Sequence, residues 1–170
     1  MILLKELTVG YAEKLLDFEQ ENRTYFEQFV PPREEGYYFK ESVISSILEM
    51  QKSRNDNKYY LYLLINEKQQ IAGRINVYNI DGETLEAEIG YRIGLRFTGM
   101  GYASEAVRLI SRETKEVLGL KRLKALTLSF NGASSRVLEK NGFMEGETLE
   151  RHLPFNGLMH DAKVYYKNLI

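Results

Sequence analysis

The stretch EAEIGYRIGLRFTGMGYASEAVRLI, residues 86–110, changes its apolar period partway along. Up to Ile93 the apolar side chains alternate, with Ala87, Ile89, Tyr91 and Ile93 set against Glu86, Glu88 and Arg92, which is the period of a strand. From Ala103 onward, Ala103, Ala106, Val107 and Ile110 share one face at a period near 3.6, which predicts a helix starting near Gly101. The junction, Arg96-Phe97-Thr98-Gly99-Met100-Gly101-Tyr102-Ala103, carries two glycines that let the backbone turn tightly. Successive N–H groups then converge at a helix N-terminus, where the macrodipole adds about half a positive charge, and such a nest suits a pyrophosphate.

Working outward, residues 59–65 are aromatic and branched, and 66–70 turn them into a second alternating run, Ile71, Gly73, Ile75 and Val77. Asp81-Gly82 marks a further turn, so three strands form an antiparallel meander that ends at Ile93. A first strand is expected over Ile2 to Leu7, and a helix follows with Leu15 and Phe18 on one face. Residues 22–32 break the pattern. A second amphipathic helix from Lys40 to Arg54 places Val43, Ile44, Ile47 and Leu48 on one stripe. Beyond the glycine junction, Leu126, Leu128 and Phe130 alternate as a strand, a short helix runs from Ala133 to Lys140, and two strands fill residues 143–153 and 162–166. A strand, helix and strand around Gly101 demand a right-handed crossover, so the strands near Ile93 and Phe130 are expected to be parallel neighbours. The expected fold is a mixed α/β domain over residues 1–170, with a mostly antiparallel sheet and helices on both faces.

Composition narrows the function. The chain of 170 residues has 23 basic and 24 acidic side chains and a net charge of −1, which leaves no global footprint for nucleic acid or an anionic membrane, though a local basic patch is compatible with it. With no cysteine, disulfides, thiolate nucleophiles and cysteine-ligated zinc are excluded, and two histidines make a metal site a poor expectation. No apolar run approaches the roughly 20 residues that span a bilayer, and the N-terminus lacks a signal pattern. A soluble, cytoplasmic protein is expected.

A dinucleotide-binding reading of the glycines wants a third glycine or alanine where Ser104 stands and an acidic residue where Lys121 and Arg122 stand. A Walker phosphate loop fails because no Lys-Ser/Thr pair follows. On its own, the glycine pair is also compatible with a plain connecting turn.

The run Glu88-Ile89-Gly90-Tyr91-Arg92-Ile93, then Arg96-x-x-Gly99-x-Gly101-Tyr102-Ala103, resembles the acetyl-CoA signature (Q/R)-x-x-G-x-(G/A) of GNAT-superfamily N-acetyltransferases. Asn131-x-x-Ser134 followed by Glu139-Lys140-x-Gly142-Phe143 resembles the second signature of that family. Glu21-Asn22-Arg23, with Phe26 and Pro31, is similar to the opening of its ribosomal-protein N-terminal acetyltransferase branch.

The resemblance implies a sheet whose two parallel strands splay apart, with the pantetheine arm of acetyl-CoA paired to Tyr91, Arg92 and Ile93. It implies a pyrophosphate on the amides of Thr98 to Ser104, and a far wall of Asn131, Ser134 and the helix to Lys140. Arg136 is a surface residue or a ligand of a CoA phosphate, and Asn131 a helix cap, a cofactor contact or both. No metal is implied. Glu88, acting through water, is the first candidate base, with Glu86 as the alternative and a structural role also open. Ser134 is the candidate partner of the departing thiolate, or else a helix serine bonded to backbone, in which case water, backbone or a tyrosine such as Tyr91 or Tyr165 meets the sulfur. The tyrosine acid that many members carry is replaced here by Leu138.

Aminolysis of a thioester needs no enzyme nucleophile, only a neutral amine, an outlet for its proton and help for the departing sulfur. With no histidine on the core segment, a protein or peptide α-amine is the favoured acceptor. A small-molecule amine such as a polyamine, amino sugar or drug, and a non-catalytic acetyl-CoA-binding module, are the alternatives. Either a monomer or a homodimer is compatible with the sequence.

Overall fold

The computed structural model describes residues 1–170. Seven strands form one sheet, β1 (Ile2–Glu6), β2 (Tyr60–Asn66), β3 (Ile71–Asp81), β4 (Glu86–Ile93), β5 (Arg122–Leu128), β6 (Met144–Phe155) and β7 (Leu158–Asn168), in the spatial order β1-β2-β3-β4-β5-β7-β6. Five α-helices accompany them: α1 (Ala12–Glu21), α2 (Arg23–Phe26), α3 (Lys40–Asn55), α4 (Tyr102–Glu116) and α5 (Gly132–Lys140).

Strands β2 to β4 are an antiparallel meander with β1 paired antiparallel to its outer edge, and its turns are closed by side chains rather than by glycine alone. Asn66 Oδ1 accepts from the N–H groups of Lys68 and Gln70 at 3.0 and 2.9 Å, and Asp81 Oδ1 accepts from Glu83 and Thr84 at 2.8 and 3.1 Å. Positive φ falls on Gln69 and Leu85, not on Gly82.

Strand β4 meets β5 in parallel only from Glu86↔Arg122 to Ile89↔Ala125. Past that point β4 stays with β3 as far as Ile93↔Gly73, while β5 stays with β7 as far as Leu128↔Ala162. The sheet therefore parts between β4 and β5. This fold is the expected one: mixed, mostly antiparallel, with one parallel pair that splays.

The alternation of each strand sends side chains into two apolar layers. On one side Ala106, Val107 and Ile110 of α4 and Leu138 of α5 pack on Tyr62, Leu64, Ile75, Ile89 and Leu123. On the other, Leu15, Phe18, Val43 and Ile47 cover Leu61, Leu63, Ile65 and Ile71. Strand β2 is covered on both faces, which explains its unbroken apolar run.

Three local expectations are corrected. Leu48 lies 54% exposed, because the buried stripe of α3 centres on Val43 and Ile47. The core-facing residues of β5 are Leu123 and Ala125; Leu126 and Leu128 are of opposite parity, and Phe130 lies beyond the strand, edge-on to Phe155 and His160. Residues 22–32 hold one helical turn, α2, within the expected break.

Gly73 is a packing requirement. A Cβ there would lie 2.5 Å from the carbonyl oxygen of Arg92, and backbone cannot yield as a side-chain tip can. Gly73→Ala should cost about 1–3 kcal/mol as an overpacking change, several degrees of Tm in a thermal melt of a chain this size.

Candidate active site

Where β4 and β5 part, a cavity of about 730 Å³ opens through the sheet. One mouth is lined by the glycine loop and α5, and the other by the corner after α1, Tyr25 and Phe26 of α2 with Phe29 and Val30 after them.

At the first mouth Gly99 and Gly101 adopt φ of +77° and +79°, the left-handed region in which a side chain is strained. Gly101 is the N-cap of α4 and no side chain caps this end, so the first-turn N–H groups lack intrahelical partners. Thr98, Gly99, Gly101, Ala103 and Ser104 line the cavity. Ser104 Oγ accepts from Asn141 Nδ2 at 3.1 Å, which fixes α5 against the start of α4. Three loop residues point elsewhere: Arg96 pairs with Glu21 at 2.7 Å, Met100 is exposed, and Tyr102 packs on the core. Phe97 is buried and lines the cavity wall.

Asn131 caps α5, its Oδ1 accepting from Ser134 N at 3.1 Å. The Ser134 hydroxyl is thereby left for Tyr91, whose OH lies 2.8 Å away across 43 residues of sequence. Burial pushes the Tyr91 phenol above its ordinary value, and the bond to Ser134 offsets this only in part, so Tyr91 keeps its proton at neutral pH. Arg136 and Lys140 reach the same wall, and Ile93 completes it from β4.

At the second mouth, β3 presents Arg74, Asn76 and Tyr78 beside Gly90 and Arg92 of β4, opposite Leu126 and Leu128. The Tyr78 ring lies across Gly90, 3.4 Å from where a Cβ would stand. Burial, with the Glu88 carboxylate beside it, pushes the Tyr78 phenol up to about 12. Glu88 itself does not line the cavity; it stands behind Tyr78 with its carboxylate 3.4 Å from Lys124 Nζ. Glu86 is paired with Arg122 at 3.1 Å near the start of the strand.

Arg74 and Glu19 form a buried pair at 2.7 Å, their side chains 7% and 3% exposed, and Arg33 approaches the same carboxylate oxygen at 3.9 Å. Arg92 lies over the ring of Phe26, 5.1 Å from its centroid. Burial and the Arg74 guanidinium pull Arg92 down to about 10, still a cation at neutral pH. The corner is fastened to the loop by Asn22: its Nδ2 donates to Phe18 O at 2.9 Å, and its Oδ1 accepts from Leu95 N at 2.8 Å.

The charged side chains lining the cavity are Arg74, Arg92, Arg136 and Lys140; no aspartate, glutamate or histidine is among the lining residues. Three lining residues carry buried polar atoms without a partner, Arg74 Nε, Asn76 Oδ1 and Thr127 Oγ1, where such atoms are normally satisfied. All three atoms lie within the cavity wall, closed to solvent. Sequence reasoning missed Arg74, Asn76, Tyr78 and Thr127. The signal for the first three was present in the even positions of β3, polar and aromatic between apolar odd ones.

A family model described as an acetyltransferase (GNAT) domain matches residues 2–144. The probable N-acetyltransferase YjcK of Bacillus subtilis (strain 168) is 32% identical over 165 residues, covering 96% of this chain and 91% of that protein. Among solved structures, the ribosomal-protein-S5-alanine acetyltransferase from Vibrio fischeri superimposes with a TM-score of 0.90 at 19% identity, over 97% of this chain and 91% of its own. The spermidine N-acetyltransferase from Vibrio cholerae, in complex with CoA and spermine, does so with 0.83 at 19% identity, over 99% and 95%.

Proposed function

Since the chain belongs to the GNAT acetyltransferase family and is an N-acetyltransferase, we propose that it passes acetyl directly from acetyl-CoA to a primary α-amine, such as the N-terminus of a protein or peptide. The observation that carries this choice of acceptor is the lining of the acceptor mouth, where Arg92 stands beside the Arg74–Glu19 pair and no carboxylate or imidazole lines the cavity. A bound ammonium has no counter-ion there, and the surrounding charge favours loss of its proton. An α-amine of pKa about 7.8 is roughly 400 times more deprotonated at neutral pH than a lysine-like amine near 10.4. A polyamine, which carries several ammonium groups, meets repulsion.

Acetyl-CoA supplies the activated thioester. Beyond Ile89 the β5-facing edge of β4 has no strand partner, and the backbone groups of Tyr91 and Ile93, which point to that edge while those of Arg92 point to β3, are free to pair with an extended pantetheine arm. The unpaired amides between Thr98 and Ser104 suit the pyrophosphate, and Arg136 and Lys140 suit the remaining phosphate charge. As the amine nitrogen bonds to the acetyl carbon and the carbon–sulfur bond breaks, Tyr91 and Ser134 donate a hydrogen bond toward the sulfur. The proton lost by the amine passes to the Tyr78 phenol as Tyr78 releases its own to Glu88.

Turnover of acetyl-CoA against a mixed set of peptides, amino acids, polyamines and aminoglycosides, with mass analysis of products, tests the reading. Products acetylated on α-amines are expected; products confined to polyamines or sugars overturn it.

Ser134 has its own expected result. A thiol of pKa about 8.5 is already a fair leaving group, so one hydrogen bond, worth about 1.5–3 kcal/mol, is all that is needed. Ser134→Ala should lower the single-turnover rate about ten- to a hundredfold with acetyl-CoA affinity retained. Tyr91→Phe should do the same, and the double variant should lose little more, because the two hydroxyls act as one pair. A lower melt with unaltered chemistry would return Ser134 to a purely helical role.

A further inference from the structure

Arg74 and Arg92 stand directly opposite each other on β3 and β4. Like charges in that position repel, and a sheet keeps such a pair only where something offsets it. Glu19 offsets Arg74. Its charge also supports Arg92, but only at a distance: no carboxylate lies within 4.0 Å of Arg92 and no hydrogen bond forms, and the guanidinium rests over the Phe26 ring. The cluster therefore sets three guanidiniums, Arg33, Arg74 and Arg92, against the single carboxylate of Glu19, with the Tyr37 and Tyr59 side chains nearby. Arg74 is more than nine-tenths buried and still keeps a buried Nε–H without an acceptor, and both Arg74 and Arg92 line the cavity. A partly buried guanidinium with no partner is costly unless a ligand completes it, and its planar fork matches the two oxygens of a carboxylate or phosphate.

We infer that the acceptor mouth contains a subsite for an anionic group, built on Arg92 with Arg74 behind it, so that the amine acetylated here carries a carboxylate or phosphate close to its nitrogen. Arg92 and Gly90 are two residues apart on one face of β4, roughly 6.5 Å along the strand. Gly90 lies under the Tyr78 phenol, where the amine gives up its proton. The anionic group thus sits a few bonds from the nitrogen, as an acidic side chain near a peptide N-terminus does, or the carboxylate or phosphate of a small amino compound. The inference rests on the reading of this cavity as the acetyl-transfer site.

The test compares acceptors in charged and neutral pairs, with the parent enzyme and with Arg92→Gln and Arg92→Lys. One arm uses peptides with an N-terminal alanine followed by Asp or Glu, against the same peptides with Asn or Gln. A second uses free amino acids against their carboxamides. A third uses phosphorylated amino compounds against their alcohols. The parent is expected to favour the anionic member by about ten- to a hundredfold in kcat/KM in at least one arm, which identifies the source of the charge. In Arg92→Gln that ratio should fall close to one, through KM for the anionic acceptor, whatever happens to the absolute rates. Arg92→Lys should keep part of it. α-Amine acetylation with ratios near one in every arm of the parent overturns the subsite while leaving the proposed reaction standing. A ratio that survives Arg92→Gln overturns the assignment to Arg92. No α-amine acetylation in any arm is the separate failure of the reaction itself.

Discussion

Gly101→Val should weaken acetyl-CoA binding at least a hundredfold in calorimetry while leaving a single cooperative melt. At φ +79° a β-branched side chain is an outlier, and the left-handed conformation alone costs about 1–2 kcal/mol for a residue with a Cβ. Nothing in the protein lies within 4 Å of the added Cβ, so the fold has room for it. The ligand does not. If the backbone relaxes to negative φ, the amides of the α4 N-terminus turn away from the pyrophosphate, and each charge-assisted bond lost is worth about 1.5–3 kcal/mol. A hundredfold is about 2.7 kcal/mol, so two lost bonds suffice. Gly101→Ala should fall between, because it shares the φ penalty but intrudes less. Unchanged affinity in the valine variant would remove this loop from cofactor binding.

Glu88→Gln should lower turnover about a hundredfold, the lower end of the range for a general base, with acetyl-CoA affinity retained. The lower end is expected because Glu88 acts through Tyr78 and because an α-amine is already partly neutral at pH 7. Tyr78, held up to about 12, remains a neutral phenol and can pass a proton on only if something behind it accepts one. Tyr78→Phe should therefore resemble Glu88→Gln, and the pair should be far from additive. The deficit should be largest below the acceptor's pKa and shrink above it, where the amine is neutral without assistance. Loss of the partner of Lys124 adds little, since that lysine is about one-third exposed and solvent screens it. A rate-versus-pH profile identical to the parent's would eliminate Glu88; Glu86, tied to Arg122, is then a poor substitute.

What the sequence made legible was local. The change of period between Ile93 and Ala103 located the strand, the loop and the helix, and the crossover rule then gave the parallel pairing of β4 with β5. Asn131 as a cap of α5 was equally local. The site was only half readable, because a cavity made by two strands parting is lined by whatever those strands and their neighbours turn toward it. Arg74, Asn76 and Tyr78 are the intervening residues of a strand recognised by its apolar ones. Tyr91 was marked for its backbone and, like Tyr165, as a substitute for Ser134, yet its hydroxyl meets Ser134 itself through a contact that no spacing encodes. The same blindness misjudged β5, where Leu126 and Leu128 are apolar because they wall the acceptor mouth rather than because they fill the core.

Asn22 gives the two mouths a shared joint. Its carboxamide holds the end of α1 on one side and Leu95, at the root of the glycine loop, on the other, while the adjacent Glu21 grips Arg96. A displacement of the corner that carries Tyr25 and Phe26 should draw the loop with it. The two substrates are then expected to be linked, each changing the affinity for the other by the same factor, and calorimetry of acetyl-CoA with and without acceptor checks this.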